Sequence, residues 1–373
     1  MRKMLCLIVC FLVVATPCKA QNVQVDTSAQ AAVLIDLDSG RVYYEKNADA
    51  VLPMASTTKV MTALVVLESG MNLDEFFAVD SSAIMVEGSS MGLQKGDKVT
   101  LRALCYGMLL PSGNDAANAA AVRVAGTIDN FCGMMNERAR TMGLENTNFQ
   151  TPSGLDDDNH YTTAKELATI TYNAMKNEDF REICKRTTAT VEYGNPPYKR
   201  TLYNHNRLLR SYEGTIGVKT GFTKKSGRCL VSAVERDGVG LICVTLNAPN
   251  DWNDHKKLYN SAFDLLARLE LEDSQTQYTI KVTGGMKSSV ILVPESFPTA
   301  TLFMGETSNI EKSITIDPFA YAPVKLGDTL GEIVYTLGDV ELARVNLVAK
   351  EDVDRLIVKK SFFTKLLEKI TNR

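Results

Sequence analysis

The chain has 373 residues, 45% of them apolar and 23% charged, with 24 Gly, 11 Pro and a formal net charge of −3. That length favours more than one hydrophobic core, and the composition excludes disordered, collagen-like and multi-span membrane classes. The near balance of 41 basic and 44 acidic residues carries no footprint for nucleic acid, which needs a basic domain or stripe.

Arg2 and Lys3 precede an uncharged apolar run from Met4 to Ala15, and Pro17 and Ala20 follow it. Those are the parts of an export signal over 1–20, and the run is too short to cross a bilayer. Cleavage after Ala20 would remove Arg2, Lys3 and Lys19 but no acid, so the mature chain is more acidic than the whole. Cys6, Cys10 and Cys18 would leave with the signal. The remaining Cys105, Cys132, Cys184, Cys229 and Cys243 are odd in number and widely spaced, which is no disulfide framework. The chain has no C-x-x-C pair and no H-E-x-x-H, so zinc sites and dithiol redox chemistry lack their signatures. His160, His205 and His255 stand far apart and read as surface or core polar residues rather than ligands. No metal or organic cofactor is called for.

Ala31 to Tyr44 reads as a hairpin about Asp38-Ser39-Gly40. From Ser56 to Leu67 the period becomes helical, and VMTALVVLE is apolar on nearly every face, as in a helix buried all round. Gly70 supplies its stop. Thr100–Leu110, Asn114–Ala125, Phe131–Met142 and Thr163–Met175 read as further helices, with Ser112-Gly113-Asn114 as a short loop and TPSGLDDDNHYT as a polar, acidic one. Gly217 to Pro249 turns to strands, with GRCLVSAVE and VGLICVTL flanking Arg236-Asp237-Gly238 as a second hairpin. His255 to Leu269 returns to helix. The polar stretch Glu270–Gln277 marks a domain border, dividing a catalytic domain over 21–273 from 274–350. In the latter, short Val/Ile/Thr-rich runs between Gly, Pro, Asn and Asp predict a small all-β sandwich. Residues 351–373 alternate Leu356, Ile357, Phe362, Phe363, Leu366, Leu367 and Ile370 with Lys359, Lys360, Lys365, Lys369 and Arg373. That pattern predicts an amphipathic helix lying on an anionic membrane surface without spanning it; packing on the β domain is the alternative.

Ser56-Thr57-Thr58-Lys59 is the one S-x-x-K of the chain and opens the buried helix. Ser56 is thereby expected at a helix N-terminus, where backbone N–H groups favour developing negative charge, with the Lys59 amine three residues on and within reach of its hydroxyl. The plain alternative is a capping hydroxyl beside a solvated lysine. A lysine acts as a base near neutral pH only when burial or a nearby cation disfavours its charge, and Lys219 of Lys219-Thr220-Gly221 can be that cation. Ser112-Gly113-Asn114 adds a hydroxyl that relays a proton and an amide that holds a substrate carbonyl or the lysine. Arg207 and Arg228 lie near these motifs in sequence and read as surface or ion-pair residues.

The order S-x-x-K, S-x-N, K-T-G, at separations of roughly 55 and 105 residues, resembles the serine penicillin-recognising enzymes. PMASTTKVMTALVVLE, LLPSGNDAANAAA, TPSGLDDDNHYTTAKELA and GVKTGFTKKSGRCL are similar to the low-molecular-mass penicillin-binding proteins that are D-alanyl-D-alanine carboxypeptidases, and the likeness of layout covers nearly the whole chain. It implies an α/β (α+β) catalytic domain of the β-lactamase/transpeptidase-like type, an antiparallel sheet flanked by helices. A small all-β domain and a C-terminal amphipathic anchor come after it in that family. By the same resemblance Ser56 is the nucleophile, Lys59 takes its proton and Ser112 returns one to the leaving amine. Asn114 holds the substrate amide, Lys219 and Thr220 meet its terminal carboxylate beside Gly221, and the backbone N–H groups of Ser56 and Phe222 form the oxyanion hole. The implied partners are a peptidoglycan stem ending in D-Ala-D-Ala, β-lactams and an anionic membrane surface, which places the protein peripherally on the outer face of the bacterial cytoplasmic membrane or in the wall. Rival readings are a D,D-endopeptidase on this scaffold, an inert peptidoglycan-binding module, and a β-lactamase, whose E-x-x-L-N pentapeptide the chain lacks.

Overall fold

The computed structural model describes residues 22–271 and 276–357. The export-signal reading of 1–20 therefore lies outside the described residues. Among the described residues no helix is long and apolar enough to cross a membrane.

A five-stranded antiparallel sheet organises the first 270 residues. Its strands are β1 (Ala31–Asp36), β2 (Val42–Lys46), β7 (Thr215–Thr223), β8 (Gly227–Arg236) and β9 (Val239–Leu246), in the spatial order β2-β1-β9-β8-β7. Every residue of β9 is buried, so its alternating side chains feed two cores. Ile242, Val244 and Leu246 face a large helical layer, while Leu241 and Cys243 face the opposite side. The helical layer comprises α1 (Lys59–Leu67), α2 (Leu101–Leu109), α3 (Asn114–Ala125), α4 (Ile128–Thr141), α5 (Ala164–Met175) and α6 (Glu178–Cys184). After the single turn α7 (Leu208–Ser211), α8 (Asp251–Phe263) covers the other face. The two expected hairpins form, the first as β1–β2 and the second as β8–β9. Helix starts follow side-chain caps: Thr100 accepts from Ala103 N–H and Thr163 from Glu166 N–H, each worth about 1 kcal/mol. Helix α1 is buried from Lys59 to Val66.

A small second sheet joins β3 (Phe77–Ala78), β4 (Lys98–Val99), β5 (Thr188–Gly194) and β6 (Pro197–Tyr203), in chain order. Sequence reading assigned nothing to β5–β6.

β10 (Leu266–Glu270) leads from α8 into the β-rich unit, whose strands are β11 (Tyr278–Thr283), β12 (Ser289–Pro294), β13 (Thr299–Phe303), β14 (Glu311–Ile316), β15 (Ala320–Tyr321), β16 (Thr329–Leu337) and β17 (Val340–Ala349). Six of them form one sheet, β14-β16-β17-β12-β11-β15, and β10 pairs with β13 beside it. Ala300 and Leu302 of β13 share a core with Leu292, Ile333, Tyr335 and Leu347 of the sheet. The unit is tied to the β1–β2 hairpin by a two-pronged Arg41–Glu306 ion pair (2.8 and 2.6 Å) and by the Tyr43 hydroxyl donating to Thr301 O at 2.7 Å.

Two expectations are corrected. The helix expected to run to Leu269 ends at Phe263, and Leu266–Glu270 is a strand because Thr299–Phe303 supplies its ladder. The helix expected over 351–373 does not begin at 351. Residues 351–357 are extended, with Val353 bridged to Val324 and only 1% exposed, so the apolar side chain is spent on the β core. The rest of that helix lies outside the described residues.

Candidate active site

Helix α1 begins later than its pattern suggests. Ala55–Thr58 form a 3-10 turn, in which Thr57 Oγ1 donates to Met54 O (2.6 Å) and Thr58 Oγ1 to Ala55 O (2.8 Å). Back-bonding of this kind competes with α-helical geometry, and a 3-10 turn eclipses residues three apart. Ser56 and Lys59 are therefore stacked, with Lys59 Nζ 2.9 Å from Ser56 Oγ. Lys59 is fully buried. Its other partners are two carbonyl oxygens, Asn114 Oδ1 at 2.7 Å and Ser153 O at 2.5 Å.

Lys219 lies on β7, the sheet's edge strand beside that turn, and is 1% exposed. Its Nζ donates to Ser112 Oγ at 2.9 Å and to Thr220 O at 2.8 Å. Burial holds the Lys59 amine well below the usual lysine range, and the Lys219 charge lowers it further. Lys219 itself is pushed down by burial to about 7. Both causes favour the neutral form of the Lys59 amine relative to an exposed lysine.

The backbone is strained around these side chains. Ala55 (φ 49°) and Ser112 (φ 65°) occupy the left-handed region at a cost of order 1–3 kcal/mol each. Two glycines allow close approach. A Cβ on Gly154 (φ +81°) would lie 2.0 Å from Ala55 O, and one on Gly221 would lie 3.1 Å from both Met54 O and Thr57 N. Through these contacts the loop carrying Ser153 and the strand carrying Lys219 press against the turn of Ser56.

Ser56, Ser112, Thr220, Gly221 and Phe222 line one cavity of about 590 Å³, open to solvent. Asn114 opens α3 and reaches Lys59 from beneath, its amide nitrogen donating to Glu87 O at 2.7 Å. All eight residues singled out by sequence thus converge. Phe222 is 65% exposed at the cavity mouth. Arg207 and Arg228 also reach the cavity, and Arg228 is ion-paired with Asp251 at 2.9 Å, as its ion-pair reading expected.

Sequence reasoning missed the Ser153 carbonyl, because a backbone group leaves no residue-type signal. It also missed the clasp made by His160. Its Nδ1 accepts the Gln150 N–H (3.0 Å), which puts the ring proton on Nε2, the donor to Thr58 Oγ1 at 2.7 Å. The imidazole is buried and kept neutral, pushed down to about 4. It locks the 150–160 loop to the S-x-x-K turn. The spacing Gly88-Ser89-Ser90-Met91-Gly92 matches a nucleophile-elbow pattern, but it lies in a loop where Ser90 Oγ donates to Asp115 Oδ2 at 2.6 Å. Among the described residues no cluster of three His, Cys, Asp or Glu side chains is placed to hold a metal ion.

Comparison with known proteins agrees with this geometry. Residues 17–250 match the family model described as D-alanyl-D-alanine carboxypeptidase, and residues 270–355 match that of the penicillin-binding protein 5 C-terminal domain. D-alanyl-D-alanine carboxypeptidase DacF of Bacillus subtilis is 32% identical over 339 residues, 88% of this chain and 86% of that protein. DacC of Escherichia coli is 33% identical over 345 residues, covering 87% and 84%. Penicillin-binding protein 5 of Haemophilus influenzae superposes with a TM-score of 0.68 at 29% identity, covering 89% of this chain and 99% of that one.

Proposed function

The chain belongs to the D-alanyl-D-alanine carboxypeptidase family and is a serine-type enzyme of that kind, and on that premise we propose which of its residues perform the reaction. Ser56 Oγ attacks the carbonyl carbon of the penultimate D-alanine of a peptidoglycan stem. Lys59 takes the hydroxyl proton. A neutral amine has two N–H bonds and one lone pair, and the carbonyls of Asn114 and Ser153 accept both N–H bonds. The lone pair is left facing Ser56 Oγ, and that single arrangement carries the reading.

The tetrahedral oxyanion takes hydrogen bonds from the backbone N–H groups of Ser56 and Phe222, each commonly worth about 3 to 4 kcal/mol. The close packing of Gly221 on the 3-10 turn supports this placement. Ser112 passes a proton to the departing D-alanine amine while Lys219 and Thr220 face its carboxylate, and Asn114 steadies the substrate amide. Water then hydrolyses the acyl-serine ester, returning the proton to Ser56. β-Lactams acylate the same hydroxyl.

We read the chain as an export signal over 1–20, a catalytic domain over 21–273, an all-β domain from 274, and a basic, apolar tail after 357 that holds the enzyme peripherally on the outer face of the cytoplasmic membrane. The experiment is incubation of the purified enzyme with a pentapeptide stem and with fluorescent penicillin. Free D-alanine and a label on Ser56 are expected. Cleavage of cross-linked dimers without D-alanine release from pentapeptide makes it an endopeptidase instead, and rapid hydrolysis of the penicillin a β-lactamase.

A further inference from the structure

Six large apolar side chains stand out of one corner of the β-rich unit: Met286, Phe319, Tyr321, Leu326, Leu356 and Ile357 are 44 to 82% exposed. Backbone pairing and one backbone-to-carboxylate bond bring them together. Met286 N–H donates to Asp354 O (2.8 Å), Leu356 N–H to Gly284 O (2.8 Å), and Leu326 N–H to Asp352 Oδ1 (2.7 Å). Tyr321 pairs with Thr283, and its ring meets that of Phe319 edge to face with centroids 5.2 Å apart. Beneath them Val282, Ala320, Ala322, Val324 and Val353 already fill the core. The six are thus the outward set of a closed packing and cannot be drawn in. Exposed apolar side chains gathered at one corner mark a contact surface rather than scattered surface residues.

The chain beyond the patch indicates the occupant. Ile357 belongs to the patch, and the next sixteen residues carry Phe362, Phe363, Leu366, Leu367 and Ile370 among five basic residues and the single acid Glu368. That stretch is strongly basic on a chain whose net charge is −3, and its charge and apolar content suit an anionic lipid surface. It starts at the patch itself, so whatever surface it rests on, the corner meets. We infer that this corner of the β-rich unit is itself a bilayer-contacting face, entering the headgroup and acyl boundary beside the tail. The inference rests on the membrane reading of the tail given above. Two adjoining contacts fix how the enzyme stands on the membrane, where a tail alone would only tether it.

The test is flotation of the exported chain with vesicles of phosphatidylglycerol and phosphatidylethanolamine. Wild type is compared with the triple variant Met286→Ser, Phe319→Ser, Tyr321→Ser, and each is made with and without residues 358–373. Partial burial of two or three such side chains is worth about tenfold or more in partition. The triple variant with its tail is expected to bind about tenfold more weakly at unchanged thermal stability and unchanged D-alanine release. The tail-less wild type is expected to keep weak binding that the triple variant abolishes. Equal binding by wild type and triple variant overturns the inference. So does loss of self-association without change in vesicle binding, which assigns the corner to a second copy. Binding that survives removal of 358–373 undiminished rejects the tail reading, and the corner is then judged on the triple variant alone.

Discussion

The catalytic cleft and the outer corner of the β-rich unit depart from ordinary burial in opposite senses. In the cleft two lysines are sealed from water, Lys59 at 0% and Lys219 at 1% exposure; at the corner Met286 and Ile357 stand 71% and 82% exposed. Burying an ammonium disfavours its charge, which is what a base needs. Exposing apolar surface disfavours the free state, which is what a docking face needs. Each violation is local and is supported by ordinary packing around it: α1 and the sheet in one case, the core of Leu347 and Tyr335 in the other.

Substitutions can break the two regions separately. The largest effect is expected from Ser56→Ala, which should abolish penicillin labelling and lower D-alanine release about 10⁴-fold or more while the melting temperature stays put. Retained turnover would refute the assignment. Next, Leu347→Ala empties a fully buried position of the β-rich core and should cost about 2–5 kcal/mol in denaturant unfolding. Penicillin acylation at low temperature should remain, since among the described residues none that lines the cleft belongs to that core; loss of both together would mean the two units fold as one. His160→Ala strips Thr58 Oγ1 and the Gln150 N–H of their partner and should cost about 1–3 kcal/mol. Its acylation rate should fall more than its stability explains, because the Ser153 carbonyl is held by that loop. The smallest effect is a displacement in pH. On the proposed mechanism acylation requires neutral Lys59, so its rate should rise as that amine loses a proton. Lys219→Met removes the like charge that helps depress Lys59, so the rising limb should move to higher pH, yet stay below the ordinary lysine range because burial, the larger cause, persists. An unmoved limb would separate the two lysines.

The cleft was more legible in the sequence than the scaffold around it. The likeness to serine penicillin-recognising enzymes rests on residue types, and S-x-x-K, S-x-N and K-T-G record them. Helices with hydroxyl caps, such as those after Thr100 and Thr163, were legible for the same local reason. Strands whose partners lie far along the chain were not. Leu266 and Leu269 are spaced as on a helix, and only Thr299–Phe303 makes that stretch a strand. Residues 351–357 continued an amphipathic pattern until Val353 proved to be a core residue. The Ser153 carbonyl, which completes the lysine's hydrogen bonding, belongs to the backbone and has no letter of its own.

The most direct measurement is the protonation state of Lys59, followed by nitrogen-15 NMR of its side-chain amine across pH and assigned with Lys59→Arg. An amine that gains its proton well below the ordinary lysine range is expected. An ammonium that persists to the pH of a solvent-exposed lysine would contradict the account.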